Sequence, residues 1–295
     1  MRKFFAPAAV IALAGAASAQ VIDGTRVGDS YGAARAVQSV ETQFGDNASE
    51  WNAAYATVAG GRLNLMLTGN LEANFNKLEI FIDSTAGGFG TFPSLPGNDG
   101  TGGTMGGRFQ FDSNFTPEYH LIVRRGFAPG GKFDVDFAIL GTNTFSSYQD
   151  LFGGNVEGAA TTGTGANASP INVGYNNSNV AGILGGTNAA DQSAALAVDT
   201  GLELSIDLAD LGSPAGAFGV MVFQNNQGHN YASNQFLGGL AAPQGNLGGD
   251  GFGGFTGTLD LNMNNYAGNQ WFSVPEPTTL SLLALGGLAM LRRRN

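Results

Sequence analysis

Two aspartates, Asp134 and Asp136, have a spacing that could do chemistry. They stand two residues apart in the segment 132–140, whose alternating apolar residues predict a strand, so both carboxylates fall on one face about 6–7 Å apart. Glycosidases place two carboxylates at a similar separation around the bond they cleave. Phe133, Val135 and Phe137 are predicted to lie on the opposite side of the strand, which faces the core. We therefore predict that the aspartates lie on a solvated face and that catalysis is the alternative.

The tripeptide Gly28-Asp29-Ser30 is similar to the serine motif of the GDSL-type hydrolases. That resemblance implies a nucleophilic serine and a histidine base that stands three residues after an aspartate, on an α/β scaffold. Here His229 is preceded at that distance by Asn226, and the sequence predicts few helices. A turn stabilised by the aspartate side chain accounts for the tripeptide. We predict that neither Ser30 nor the two histidines, His120 and His229, are catalytic.

The metal chemistry open to this chain is limited to oxygen ligands. The chain contains no cysteine and two histidines, which excludes a thiol nucleophile, a thiolate site and a multi-histidine zinc site. Asp83, Asn98, Asp99 and Asp250 stand in glycine-rich loops, where oxygens could converge on Ca²⁺. Because the spacing of calcium-binding motifs is absent, turn formation explains these residues as well. We expect no other cofactor.

The charge of the chain is lopsided. Of thirteen lysines and arginines, five lie in the two terminal segments, whereas only one of twenty-three acidic residues does. Residues 20–273 therefore carry eight positive and twenty-two negative side chains, a net charge of −14. Such a surface repels nucleic acid and anionic membranes, so we expect neither as a partner.

The elements that must position these residues are mostly strands. Glycine is the commonest residue, with forty-seven copies, which suits short strands joined by tight turns. Alternation or apolar runs predict about nine strands, listed by residue number: 55–58, 62–68, 77–83, 108–112, 119–125, 132–140, 202–208, 219–224 and 255–263. A short helix is predicted over 188–197, and 84–107 reads as a polar loop outside the core. We predict an all-β, antiparallel, two-sheet jelly-roll-like sandwich with long glycine-rich loops.

Three stretches of the middle of the chain follow one another in a recognisable order. These are 78–83, which ends in Asp83, the aromatic and aspartate segment 109–112, and 201–212 with its Asp-Leu turn. Together they resemble the family 9 carbohydrate-binding modules and related DOMON-like domains. The resemblance implies a jelly-roll fold and, through the family, a possible extracellular polysaccharide as partner. The sugar-stacking aromatics of that family find no counterpart, since Trp51 and Trp271 lie outside the matching strands.

The amino-terminal segment, residues 1–19, reads as a cleaved signal peptide. Arg2 and Lys3 form a basic start, 4–16 is apolar, and Ala17 and Ala19 supply the small residues of a signal-peptidase site. The protein is therefore expected to be exported, and its mature chain to begin at Gln20.

The carboxy-terminal segment, residues 274–295, has three parts. Val274-Pro275-Glu276-Pro277 is a rigid joint, because each proline fixes its own φ and lacks a backbone donor. Residues 280–291 carry no charge and predict a short transmembrane helix of about 18 Å. Arg292, Arg293 and Arg294 would stop this helix on the cytoplasmic side.

This order of joint, apolar helix and basic end resembles the PEP-CTERM sorting signal. The resemblance implies recognition of residues 274–277 by an exosortase, a membrane peptidase that would be a partner of the chain. It also implies an inner-membrane intermediate, held by the helix until processing, and then a place at the cell surface or outside the cell.

The sequence thus predicts three parts: a signal peptide, a secreted β-sandwich domain over 20–273, and a sorting signal. We predict a non-catalytic protein of the cell surface or extracellular matrix that serves as an adhesive, structural or polysaccharide-associated module. The alternative is a secreted, glycosidase-like enzyme that acts on polysaccharide.

Overall fold

The computed structural model describes residues 20–95, 97–127 and 130–276. The predicted signal peptide, with Ala17 and Ala19, lies outside these residues, as do Pro277, the predicted membrane helix and Arg292, Arg293 and Arg294. The strands are β1 (Ala36–Val37), β2 (Glu50–Ala59), β3 (Arg62–Asn70), β4 (Asn74–Asp83), β5 (Tyr119–Phe127), β6 (Gly131–Ile139), β7 (Thr144–Tyr148), β8 (Gly158–Thr161), β9 (Asn172–Tyr175), β10 (Gly201–Asp207), β11 (Phe218–Asn225), β12 (Ala232–Leu237) and β13 (Trp271–Val274). Two short helices are α1 (Thr101–Thr104) and α2 (Gln192–Leu196).

The strands form two antiparallel sheets. A six-stranded sheet has the order β1-β2-β3-β10-β9-β8. A seven-stranded sheet has the order β12-β11-β4-β5-β6-β7, with β13 paired to β11. Side chains from both sheets share one apolar core, so the two sheets pack face to face. The prediction of a mostly β, two-sheet antiparallel fold is confirmed.

The β2–β3 hairpin shows how local sequence sets the register. Gly60 and Gly61 form its turn with φ values of 60° and 77°. Positive φ at both central residues is the geometry of the two-residue turns that match strand twist, and glycine adopts it without steric cost. The turn pairs Ala59 with Arg62, which sets Leu63 and Leu65 opposite Val58 and Ala56.

The core between the sheets follows the alternation in the sequence. Leu78, Ile80 and Ile82 of β4 are fully buried there, as are Phe133, Val135 and Phe137 of β6 and the leucines of β3 and β10. A strand that is alternately apolar must bury that face, which fixes the direction of all its other side chains.

A second apolar core covers the outer face of the seven-stranded sheet, the face turned away from the six-stranded sheet. It joins Phe81 of β4 and Phe223 of β11 to side chains from the long loops, among them Phe92, Met105 and Phe109. The prediction that 84–107 is too polar to pack as core is therefore wrong. Glycines let this loop lie close to the sheet, and its few large apolar side chains then reach the outer face.

Two predicted strands are not strands. In 108–112 only Gln110 makes isolated bridges, to Thr91 and Asn262, while its neighbours Phe109 and Phe111 are both buried in the second core. Residues 255–263 likewise contribute Leu259, Leu261 and Met263 to that core without forming a strand. Burial of alternate loop side chains against the sheet produces the apolar alternation that reads as a strand.

Helix is scarce in the described part of the chain. Within the predicted helix 188–197, α2 forms over five residues, and Asp191 caps it by accepting from the backbone N–H groups of Ser193 and Ala194. None of the helices in the described ranges has the length and apolar character needed to cross a membrane.

Candidate functional site

Ionisable side chains converge on the outer face of the seven-stranded sheet. The strand register sets Lys77 of β4, Arg124 of β5 and Asp134 of β6 in one row, and places Glu79 and Asp136 in the next row on either side of Ile122. All these residues point away from the main core because they alternate with its apolar residues. The loops of the second core cover the same face, so the charges are buried rather than solvated.

Glu79 is the centre of a buried triad and is 0% exposed. Its Oε2 lies 2.7 Å from Nε2 of His120, and its Oε1 lies 2.6 Å from Nδ1 of His229. Asn225 donates to Oε1 as well, at 3.1 Å. The ring of His120 is stacked on Phe81 at a centroid distance of 4.3 Å. Both carboxylate oxygens thus have hydrogen-bond partners, as a buried charge requires.

The triad extends to the loop above it through Asp99. His229 Nε2 lies 3.1 Å from Oδ2 of Asp99, and the same oxygen accepts from Lys77. Burial alone would lower the pKa of His229, but the carboxylates of Glu79 and Asp99 outweigh it and raise that pKa above its usual value. Burial alone would raise the pKa of Glu79, yet the two histidines hold it well below its usual range. The group is therefore a stable ion network that ties the loop to the sheet.

Arg124 binds the aspartates whose spacing suggested chemistry. Its Nη1 lies 2.5 Å from Oδ2 of Asp136, and its Nε lies 3.4 Å from Oδ2 of Asp134. Asp134 also accepts from the backbone N–H of Asp150 at 2.8 Å. The prediction that both aspartates lie on a solvated face is wrong, because both are buried beneath the loops. They share one face, as predicted, but with a cation between them.

A further buried carboxylate, Glu203 of β10, lies on the outer face of the six-stranded sheet. It accepts from the backbone N–H groups of Asp23 and Gly24, at 2.8 and 2.7 Å, and from the hydroxyl of Tyr31, at 2.7 Å. Burial raises the pKa of Glu203 to about 7, even though these three donors act to lower it. This contact attaches the segment before β1 to the sheet.

The tripeptide Gly28-Asp29-Ser30 lies in this same amino-terminal segment. Asp29 accepts from the backbone N–H of Val21 at 2.9 Å, and the backbone N–H of Ser30 donates to the side chain of Gln20 at 2.9 Å. Both histidine rings instead contact Glu79 on the other sheet. The tripeptide is part of a hydrogen-bonded turn.

The predicted calcium ligands have separate partners. Asp83 accepts from the backbone N–H of Thr116 at 2.8 Å, Asp99 belongs to the ion network, and Asp250 accepts from two backbone N–H groups of its own loop. Asn98 is buried, and its side-chain amide has no partner in the described residues. Nowhere in the described ranges do three or more histidines or carboxylates gather so that they could hold a metal. Calcium binding stays a prediction.

The predicted sorting joint begins directly at the end of the fold. β13 pairs with β11 through Val274, which lies opposite Phe218 and is fully buried. Pro275 follows half-buried, and Glu276 is exposed. The predicted joint 274–277 therefore starts at Val274, the last core residue of the domain, so the joint and the last strand share that residue.

Sequence reasoning misses the network of Glu79, His120 and His229, because it predicts only that the histidines are not catalytic. A signal was present in β4, where Phe81 shares the face of Glu79. A large aromatic on the supposedly solvated face indicates that something covers that face.

Comparison with known proteins finds one match. A family model described as the PEP-CTERM protein-sorting motif matches residues 273–295. This match supports export of the chain and its sorting by an exosortase, a membrane protease, toward the cell surface. No curated protein and no solved structure matches the chain at a significant level. The similarity to family 9 carbohydrate-binding modules and DOMON-like domains is thus not shown and stays a prediction.

Proposed function

We propose that this chain is an exported, exosortase-processed, non-catalytic protein of the cell surface or extracellular matrix. The observation that carries the proposal is the sorting motif at 273–295, which begins within the last strand of the sandwich. A folded domain followed at once by the processing joint suits a peptidase that handles the tail and leaves the domain intact.

The contacts of the acid and base candidates support a non-catalytic domain. A general acid or base must reach the substrate proton that it transfers. His120 and His229 are both buried against Glu79, and Asp136 is 1% exposed with Arg124 against it. The alternative, a glycosidase-like enzyme, needs Asp134 and Asp136 free on either side of a sugar. Arg124 contacts both aspartates, which does not favour a sugar between them.

The processing joint is tested with a truncated chain that keeps Val274 and lacks every residue after it. Val274 is buried and paired with Phe218, so a deletion that includes it would damage the core as well as the signal. We expect the chain that ends at Val274 to fold with an unchanged thermal midpoint and to lose its normal localisation. Glu276→Ala in the full chain is the matched variant, because Glu276 is exposed.

The expected result for Glu276→Ala is accumulation of the unprocessed chain, detected by mass in membrane and surface fractions. Normal processing and localisation of both variants would overturn the proposal. The non-catalytic part is tested separately, by incubating the protein with polysaccharides and measuring reducing ends. Release of reducing ends that is lost in Asp136→Asn would support the enzyme alternative instead.

A further inference from the structure

A glycine-rich loop after β12 exposes two phenylalanines. Phe252 is 94% exposed and Phe255 is 68% exposed, the former being the most exposed large apolar side chain in the described part of the chain. A phenylalanine ring left in water forgoes the free energy that its burial would supply. Single exposed apolar residues are common on proteins, so exposure alone shows little. The structure of the loop shows more.

The loop is held in one shape by its own hydrogen bonds. Asp250 Oδ1 accepts from the backbone N–H groups of Phe252 and Gly254, both at 2.9 Å. The N–H of Gly249 donates to the carbonyl of Gly254 at 2.7 Å, and Tyr231 donates to the carbonyl of Gly253 at 3.2 Å. A rigid backbone that displays an aromatic ring has already lost the entropy that binding would otherwise cost.

Phe252 stands at one side of a groove of about 350 Å³. Tyr266 also lines the groove, half-buried, with its hydroxyl 3.4 Å from the carbonyl of Gly251. Asp260 and Asn265 line it too, and both are exposed. Their side chains have no hydrogen-bond partner within residues 20–95, 97–127 and 130–276. The groove thus combines two aromatic rings with a free carboxylate and a free amide, in a volume at the lower end for small-ligand sites.

We propose that this groove binds a neutral polysaccharide, with Phe252 and Tyr266 against the faces of sugar rings. The Asp260 carboxylate accepts from sugar hydroxyl groups, and the Asn265 amide accepts from or donates to them. The C–H bonds on one face of a sugar ring pack on the electron-rich face of an aromatic ring. Carboxylate and amide groups at the edge of such rings match the donors and acceptors of sugar hydroxyls. The inference rests on the proposed place of the protein at the surface or in the matrix.

The negative charge of the groove and of the domain determines which class of polysaccharide can bind. Asp250 and Asp260 both line the groove, and residues 20–273 carry a net charge of −14. Uronic-acid and sulfated polymers are repelled by such a surface, as are anionic membranes. The groove is therefore assigned to neutral chains.

The test uses the full-length protein, kept in solution by a detergent without a sugar headgroup, in affinity gels that contain amylose, mannan, soluble β-glucan or alginate. We expect retardation by at least one neutral polymer and none by alginate at equal concentration. Phe252→Ala should weaken that binding about tenfold or more, because it removes the stacking contact. Asp260→Asn should weaken it as well.

Phe255→Ala is the matched control, since Phe255 is an exposed phenylalanine of the same loop that does not line the groove. Both variants should keep the thermal midpoint of the parent, because both rings are exposed. Equal losses in Phe252→Ala and Phe255→Ala would overturn the groove in favour of general apolar adhesion. Binding to alginate as tight as to neutral polymers, or to no neutral polymer at all, would also overturn it. Export and tail processing are measured independently, so such a failure leaves the proposed function standing.

Discussion

Replacing Glu203 with glutamine should remove a defined part of the pH dependence of stability. Burial raises the pKa of this carboxyl group to about 7 in the folded chain, from an ordinary value of 4.5. Between these two values the folded state holds a proton that the unfolded state has released. The contribution of this group to stability is therefore fully present below pH 4.5, falls as the pH rises from 4.5 to about 7, and is constant above that.

The size of the effect follows from the shift. A difference of one pKa unit corresponds to 1.36 kcal/mol, so a shift of about 2.5 units amounts to about 3 kcal/mol between pH 4 and pH 8. Glutamine is close in shape to glutamate. Its amide oxygen can accept from the N–H groups of Asp23 and Gly24, and its NH₂ group can donate to the hydroxyl oxygen of Tyr31. The variant should thus keep the contacts and lose the titration.

The measurement is urea unfolding of both proteins at intervals from pH 4 to pH 8. As the pH rises from 4 to 8, the free energy of unfolding of Glu203→Gln should increase by about 3 kcal/mol relative to that of the parent. Other groups titrate in both proteins, so their effects cancel in this difference. Tyr31→Phe provides a control, because it removes a donor that lowers the pKa and should move the transition to higher pH. Two pH profiles that run parallel within about 0.5 kcal/mol would refute the reasoning.

Two further predictions concern the ion network. Arg124→Met should destabilise the fold by about 3–5 kcal/mol in urea unfolding, because it leaves Asp136 buried without its cation. Adding Asp136→Asn to this variant should restore part of the lost stability. A loss below about 1 kcal/mol in Arg124→Met alone would contradict the network. Asp99→Asn should lower the pKa of His229 in an NMR titration, because the Asp99 carboxylate helps to raise it. Asp260→Asn is the control and should leave this pKa unchanged, since Asp260 is not among the groups that shift it. The raised pKa of His229 stabilises the fold fully below pH about 6.5, and this stabilisation disappears as the pH rises through the pKa of the folded state. Because Asp99→Asn lowers that folded-state pKa, the variant should lose the stabilisation at a lower pH than the parent.

The strands that alternate could be predicted from sequence, and those that do not alternate could not. β4, β6 and β10 carry long apolar alternations, and their inward faces are the predicted ones. β13 has four residues, and its burial depends on pairing with β11, more than forty residues earlier. A pattern of residues within β13 cannot predict a contact with a strand so far away in the sequence.

The buried charges escaped prediction for a related physical reason. A polar residue that alternates with core residues is normally solvated, and that rule assigns Asp134 and Asp136 to a solvated face. Their burial depends on loops that fold back over the sheet and bring Phe92 and Phe109 onto it. The cost of burying the charges is offset by cations and His120 on neighbouring strands, which the register of the sheet brings together. His229, in the loop between β11 and β12, supplies the other histidine contact to Glu79.

The position of β13 has a mechanical consequence. Any pull on the carboxy-terminal tail enters the domain at Val274 and acts first on four backbone pairs with β11. β13 shares that edge of β11 with β12 and has no strand named on its other side in the described residues. Tension would therefore strip this strand from the edge before it reached the rest of the sheet, and the apolar side chains of Phe272 and Val274 are what resist it.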